Sequence, residues 1–161
     1  MFVNSKQIET NFQPIFADLQ TYLTDAHETA ILYKIMGKTE ADLLIADLDA
    51  SGDPQSAKWI AIFSDFNFVT SNISWNCIGV KEILKYFVYS EYVGGQSIVN
   101  SIAGNVTQSF EASSPEQLIK KADVIWNRAA RNVDILQYYM SQNSTDYPNL
   151  ISCSIEYNSP I

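Results

Sequence analysis

Apolar residues recur at helical spacing along most of the chain and predict a mainly α-helical fold. Capping residues divide this pattern into segments, because Ser, Thr, Asp and Pro favour helix starts whereas Gly favours helix ends. In the first third of the chain, the predicted helices run to Phe12, from Pro14 to Leu23, from Asp25 to Met36 before Gly37, and from Glu40 to Leu48. Residues 49–54 are predicted to form a loop.

The pattern between residues 54 and 77 is less regular, with aromatic and β-branched residues in close succession. We predict a helix from about Pro54 to Phe66 followed by an irregular segment, and the residue types also permit short strands. The stretch from Gly79 to Val93 predicts a helix that is apolar on nearly every side, as expected of a central or interface helix. Gly94-Gly95 is predicted to end it.

The segment from about 96 to 112 lacks helical periodicity and is predicted to be a long extended loop or hairpin. Ser114, Pro115 and Gln117 form the clearest helix start in the chain, and that last helix is predicted to reach Gln142. The pattern as a whole predicts a helical bundle, with residues 1–146 as a single helical domain and residues 147–161 as an extended C-terminal docking tail.

The last predicted helix sorts its side chains by chemistry when they are placed at about 100° per residue. One face is apolar and is predicted to belong to the core. Opposite this face, a strip of basic residues lies beside a strip of acidic residues. The basic strip consists of Lys120, Lys121, Arg128 and Arg131, and the acidic strip consists of Glu116, Asp123 and Asp134.

Three interpretations of the two strips are open. They form a solvated face if the helix pairs them internally, as Glu116–Lys120 and Arg131–Asp134 at i,i+4 and i,i+3 would allow. They form a subunit contact if the basic strip of one subunit meets the acidic strip of its neighbour, and head-to-tail contacts of this kind close into rings. A nucleic-acid patch is the third interpretation, which the adjacent acids disfavour.

The chain is acidic, with a formal net charge of −8, and residues 1–56 contribute nine acidic against three basic side chains. Such a chain is a poor candidate for gripping DNA phosphates, although a negatively charged channel would let a duplex slide through it. The two cysteines, Cys77 and Cys153, stand in no metal-binding or redox motif and are interpreted as reduced thiols. No apolar run approaches the length of about 20 residues that a membrane span needs.

No catalytic signature is present, and we predict neither catalytic nor cofactor-binding nor metal-binding residues. His27 is the only histidine, and it lies in no recognisable nucleophile–base arrangement. The segment from Asp47 to Asp53 resembles the start of a calcium loop, but Lys58 stands where that loop needs a bidentate glutamate. We therefore interpret this segment as a capped turn and the chain as a protein that is not an enzyme.

The order of features in the second half resembles head–tail connector (adaptor) proteins of tailed bacteriophages, of the type found in phages of Bacteroides-like hosts. The resemblance covers residues 78–142. Its motifs are the aromatic-rich helix Ile78-Gly79-Val80-Lys81-Glu82-Ile83-Leu84-Lys85-Tyr86-Phe87-Val88-Tyr89, the segments Gly104-Asn105-Val106-Thr107 and Glu111-Ala112-Ser113-Ser114-Pro115, and the helix ending in Ile135-Leu136-Gln137-Tyr138-Tyr139. Tyrosines replace the small residues that are usual in the central helix of such proteins.

The resemblance implies a structural virion protein that forms a ring of about twelve copies beneath the portal, with DNA passing through without sequence-specific binding. It implies that the loop around Gly104 and Val106 reaches a neighbouring subunit. It also implies that the tail, through Leu150, Ile151, Ile155 and Tyr157, docks onto the portal protein. Tail or stopper proteins would be further partners, and the protein would be found in the virion and in the host cytoplasm during assembly.

Two other functions remain open on the sequence alone. A small acidic interaction or inhibitor protein that mimics DNA would present its acids on one exposed face, whereas the last helix sets acids beside bases. An enzyme would place a buried carboxylate with a raised pKa in a concave site.

Overall fold

The computed structural model describes residues 25–102, 115–152 and 155–158. The fold is mainly α-helical, as predicted. In chain order, the described elements are helices α1 (Asp25–Met36), α2 (Lys38–Ala46) and α3 (Ala57–Phe63), strands β1 (Phe66–Thr70) and β2 (Ile73–Cys77), and helices α4 (Gly79–Ile102) and α5 (Pro115–Gln142). The helices predicted before Asp25 lie outside the described residues. None of the described helices is both long enough and apolar enough to cross a membrane.

The core lies between α4 and α5, which pack side by side in opposite directions. The backbone N–H of Ile78 donates to Asn132 Oδ1 at 3.1 Å, and Ser90 Oγ donates to the Ala122 carbonyl at 2.8 Å, so residue numbers rise on one helix as they fall on the other. The predicted inner faces of both helices are buried, as are apolar residues of α1 and α3. The buried set includes Val80, Ile83, Leu84, Phe87 and Val88 from α4, Ala129, Val133, Leu136 and Met140 from α5, and Leu32, Ile35, Trp59 and Ile62 from α1 and α3.

The junction between α1 and α2 is a single residue, Gly37. The predicted end of α1 at Met36 is confirmed, but α2 begins at Lys38 and ends at Ala46 rather than running from Glu40 to Leu48. Gly37 itself occupies the N-cap position with φ 82° and ψ 158°, a conformation that is essentially confined to glycine. The same residue therefore ends one helix and starts the next, and Thr39 is not needed as a cap.

The segment between α2 and α3 is a capped turn, as predicted. Asp49 Oδ1 accepts the backbone N–H groups of Ser51 at 2.8 Å and Asp53 at 3.0 Å. Asp47 Oδ2 accepts the backbone N–H groups of Gln55 at 2.8 Å and Ser56 at 2.7 Å. These hydrogen bonds hold the pKa of both carboxyls below the usual value, so both stay ionised at neutral pH.

The region from 54 to 77 differs from the prediction of a helix to Phe66 followed by an irregular segment. Helix α3 ends at Phe63, and β1 and β2 form an antiparallel hairpin in which Phe68 pairs with Trp75. Ser71 and Asn72 make the turn with positive φ, at 50° and 64°. The hairpin forms because alternate residues place Phe66 and Phe68 against Tyr139 of α5, with ring centroids 4.9 and 5.1 Å away.

The predicted end of the central helix at Gly94-Gly95 is wrong, because α4 continues to Ile102. Residues 96–102 are therefore helical and not part of an extended loop. A glycine weakens a helix by about 1 kcal/mol relative to alanine but does not break it, and cooperative helical hydrogen bonding tolerates it. The remainder of the predicted loop, with Gly104 and Val106, lies outside the described residues.

Candidate interaction surface on the last helix

Helix α5 spans Pro115–Gln142, with the bounds that the capping residues predict. Its basic strip is exposed on the side away from the core. Arg128 lies over the ring of Tyr86, with its guanidinium carbon 4.9 Å from the ring centroid, and Lys121 Nζ lies 5.9 Å from the ring centroid of Tyr89. Cation–π contacts of this kind position a cation without neutralising its charge.

Lys120 forms an ion pair inside the chain, with its Nζ 2.7 Å from the carboxylate of Glu116 one turn earlier. This predicted pair is confirmed, and it holds the pKa of Glu116 below the usual value. Across the described ranges, Lys121, Arg128 and Arg131 form no ion pair. Most of the positive charge of the basic strip is therefore uncompensated within the described part of the chain.

The tail lies against the acidic strip and uses its other two carboxylates. Asn158 Nδ2 donates to Asp123 Oδ1 at 2.9 Å, and the hydroxyl of Tyr157 donates to the carboxylate of Asp134. The bond to Asp134 raises the pKa of Tyr157 above its usual value. The predicted pair between Arg131 and Asp134 is wrong, because Asp134 is bonded to the tail instead.

Two neutral side chains of α5 also hold the tail, through its backbone. Asn127 Nδ2 donates to the carbonyl of Asn158 at 2.8 Å, while Asn127 Oδ1 accepts the N–H of Asn158 at 2.8 Å. One turn away on the helix, Trp126 Nε1 donates to the carbonyl of Glu156 at 2.9 Å. Sequence reasoning missed both residues, because Asn127 looked like part of a solvated face and Trp126 like part of the core.

A cavity of about 280 Å³ lies beside this contact. Ile31, Phe87 and Trp126 line it from three helices, and Ile155 of the tail lines it from outside, together with Lys34, Glu91 and Glu156. The rings of Phe87 and Trp126 meet edge to face at 4.7 Å. The walls are thus a rigid aromatic corner, which suits an aliphatic side chain such as that of Ile155.

The four residues predicted to dock onto a portal differ in their surroundings. Leu150 and Ile155 are half-buried against the chain's own core. Ile151 and Tyr157 are 57% and 53% exposed. The backbone N–H of Ile151 also donates to the Met36 carbonyl at 3.2 Å, which ties the start of the tail to the end of α1.

A second charged surface, of opposite sign, lies in the turn between α2 and α3. We call Asp47, Asp49 and Asp53 the acidic loop; Asp49 and Asp53 are exposed and Asp47 is half-exposed. Lys81 Nζ lies 3.3 Å from Asp53, and no ion pair links the acidic loop to the basic strip within the described chain. One described surface therefore has a positive excess and another has a negative excess.

Comparison of the chain with protein-family models, with curated proteins and with solved structures gave no significant match.

The other residues considered for chemistry do not converge. No group of three or more His, Cys, Asp or Glu side chains in the described ranges is placed to hold a metal ion. Cys77 is fully buried, and burial raises the pKa of its thiol to about 11. His27 lies in α1, among residues whose side chains the structure does not describe.

Proposed function

We propose that the chain is an assembly protein whose copies associate head to tail through the basic strip. The observation that carries this proposal is the uncompensated charge of Lys121, Arg128 and Arg131 on an otherwise acidic molecule. Such a surface favours an acidic partner, since complementary charges steer association and suppress wrong partners.

A second copy of the chain offers such a partner in its acidic loop. Hydrogen bonds keep Asp47 and Asp49 ionised, so the loop stays negative under the conditions in which the basic strip stays positive. Two copies related by a two-fold axis would bring each surface against itself, basic to basic. A head-to-tail contact instead joins opposite charges, and repetition of such a contact closes a ring.

The ring that we propose belongs to the phage head–tail junction. This finer proposal rests on the resemblance of residues 78–142 to connector proteins and on the net charge of −8, which suits a channel that DNA passes without being held. The partners would be about twelve copies of the chain, the portal protein and the tail or stopper proteins. The protein would be located in the virion and, during assembly, in the host cytoplasm.

The self-association is tested by reversing one charge. We expect Arg131→Glu to raise the concentration at which half of the protein is assembled by about tenfold, which corresponds to about 1.4 kcal/mol. Lys38→Glu is the matched control, since it makes the same charge change at an exposed lysine of α2 and should leave assembly in place. Analytical ultracentrifugation and thermal unfolding would be measured on each. Wild-type protein that stays monomeric at every concentration would contradict the proposal.

The place of the ring in a virion is tested separately, by affinity capture of the tagged protein from a lysate of its source and mass spectrometry. Recovery of a portal-like ring protein with other virion proteins is the expected result. Recovery of a single nuclease or other host enzyme instead would overturn the connector proposal and favour the acidic inhibitor.

A further inference from the structure

The contact between α5 and residues 155–158 has the chemistry of a peptide-binding site. Asn127 bonds both the N–H and the C=O of one tail residue, which satisfies an extended backbone whatever its side chain is. Trp126 Nε1 bonds the backbone carbonyl two residues earlier, at Glu156. Spacing of this kind, with alternate residues bonded from one side, is how extended peptides are commonly held.

Side chains add selectivity to these backbone bonds. The cavity beside Trp126 accepts the aliphatic side chain of Ile155. Two carboxylates accept neutral donors: Asp134 accepts the hydroxyl of Tyr157, and Asp123 accepts the amide of Asn158. The preferred ligand is therefore an extended segment with an aliphatic residue followed, two and three positions later, by side chains that donate hydrogen bonds.

We propose that this groove on α5 is a peptide site that, in the assembled protein, binds residues 155–158 of a neighbouring copy. The inference rests on the proposed head-to-tail ring, and it names the segment that links one copy to the next. The ligand is fixed by the contacts already described, because every hydrogen bond that the tail makes within its own chain is available to the identical tail of a neighbour.

The position of the groove favours exchange between neighbours. Asp134 and Asp123, which bind the tail, share α5 with the basic strip, so a copy that approaches the strip brings its own tail close to the groove. The tail is anchored to its own α1 as far as Ile151, and from there to Ile155 an extended chain reaches about 14 Å. Exchange therefore requires the neighbouring groove to lie within that distance of Ile151.

The energy of exchange is small, because the same contacts are lost and regained. Tyr157 is 53% exposed, and Ile155 is the tail residue that fills the cavity, so the segment is lightly held in its own groove. In a ring, the neighbouring tail is present at a high effective concentration and competes with the chain's own tail.

A disulfide trap in the full-length protein distinguishes the two arrangements. Cys153→Ser removes one native thiol, and Cys77 is buried and can stay. Two separately tagged chains, one with Asp123→Cys and the other with Asn158→Cys, are mixed and oxidised. We expect a covalent dimer that contains both tags. A mixture in which Asp42→Cys replaces Asp123→Cys is the control for random collision, because Asp42 is exposed on α2.

The outcomes separate the inference from the proposed function. An assembled protein that gives only the collision background, while a chain carrying both cysteines closes an internal disulfide, overturns tail exchange and leaves the ring intact. A monomeric protein with the same result overturns both. A monomeric protein that still yields the mixed dimer supports tail exchange and contradicts the ring.

The role of Asn127 is tested in the same trap. Asn127→Ala removes two hydrogen bonds to the tail, which together correspond to a change of at least about tenfold in occupancy of the groove. The mixed-dimer yield should fall accordingly, while Asn67→Ala, at an exposed position of β1, should leave it unchanged. An undiminished yield in Asn127→Ala would contradict the peptide-binding role of this residue.

Discussion

Neutral amide side chains do much of the positioning on α5. Asn132 accepts the N–H of Ile78 and donates to the Arg128 carbonyl at 2.9 Å, and Gln137 Nε2 donates to the Ile35 carbonyl at 2.7 Å. An amide can donate and accept at once, and it enters a buried site without the large desolvation cost of a charge. These residues attach α4 and α1 to α5, so the strips of charge on the opposite side remain available for other contacts.

Cys77 illustrates how burial controls reactivity at the level of one residue. Its thiol donates to the Asn132 carbonyl at 3.6 Å, and its pKa of about 11 leaves only about one thiolate in a thousand thiols at pH 8. In a Cys153→Ser chain, we expect a thiol reagent to modify Cys77 only as fast as the protein unfolds. The rate of modification, followed by absorbance with and without denaturant, measures this. Complete labelling of the folded protein within minutes would contradict the burial of Cys77.

At the scale of elements, the sequence predicts what depends on local signals. The bounds of α5 follow from Ser114, Pro115 and the polar break after Gln142, and the end of α1 follows from Gly37. The hairpin was missed because its turn, Ser71-Asn72, lacks the glycine that usually marks one, although Asn tolerates positive φ.

Features that depend on distant residues were beyond the reach of local pattern. The hairpin is held by aromatic contacts with α5, and the tail is held by residues of α5 about thirty positions earlier. The charged strips of the candidate site could be read from helical periodicity, whereas the peptide groove beside them could not, since its neutral members carry no signal until the tail is placed on them.

Gly37 couples two elements, because it joins α1 to α2 and also lies beneath the tail. A Cβ at this position would come within 2.9 Å of Ile151 Cβ, in addition to the strain at φ 82° and ψ 158°. We expect Gly37→Ala to lower the free energy of unfolding by about 1–3 kcal/mol, measured by urea denaturation. If the collision contributes, Ile151→Ala combined with Gly37→Ala will cost less than the sum of the single changes. Unchanged stability in Gly37→Ala would contradict the conformation of this junction.

At the scale of the whole molecule, two kinds of contact are proposed to join the copies, and they differ in their response to salt. The basic strip and the acidic loop attract each other through exposed charges. The tail is held by neutral donors, backbone bonds and an aliphatic side chain. Screening weakens the first kind of contact strongly and the second kind little.

Raising the ionic strength from about 0.1 M to about 1 M shortens the Debye length from about 10 Å to about 3 Å. We therefore expect the assembly midpoint of the wild-type protein, measured by analytical ultracentrifugation, to rise with salt, and that of Arg131→Glu to rise less because one of the screened charges has already been reversed. The tagged-chain disulfide yield, counted per assembled copy, should stay constant over the same range. Assembly that ignores salt would mean that the charged surfaces are not the contact, whereas a disulfide yield that falls faster than assembly would mean that the tail is held by charge after all.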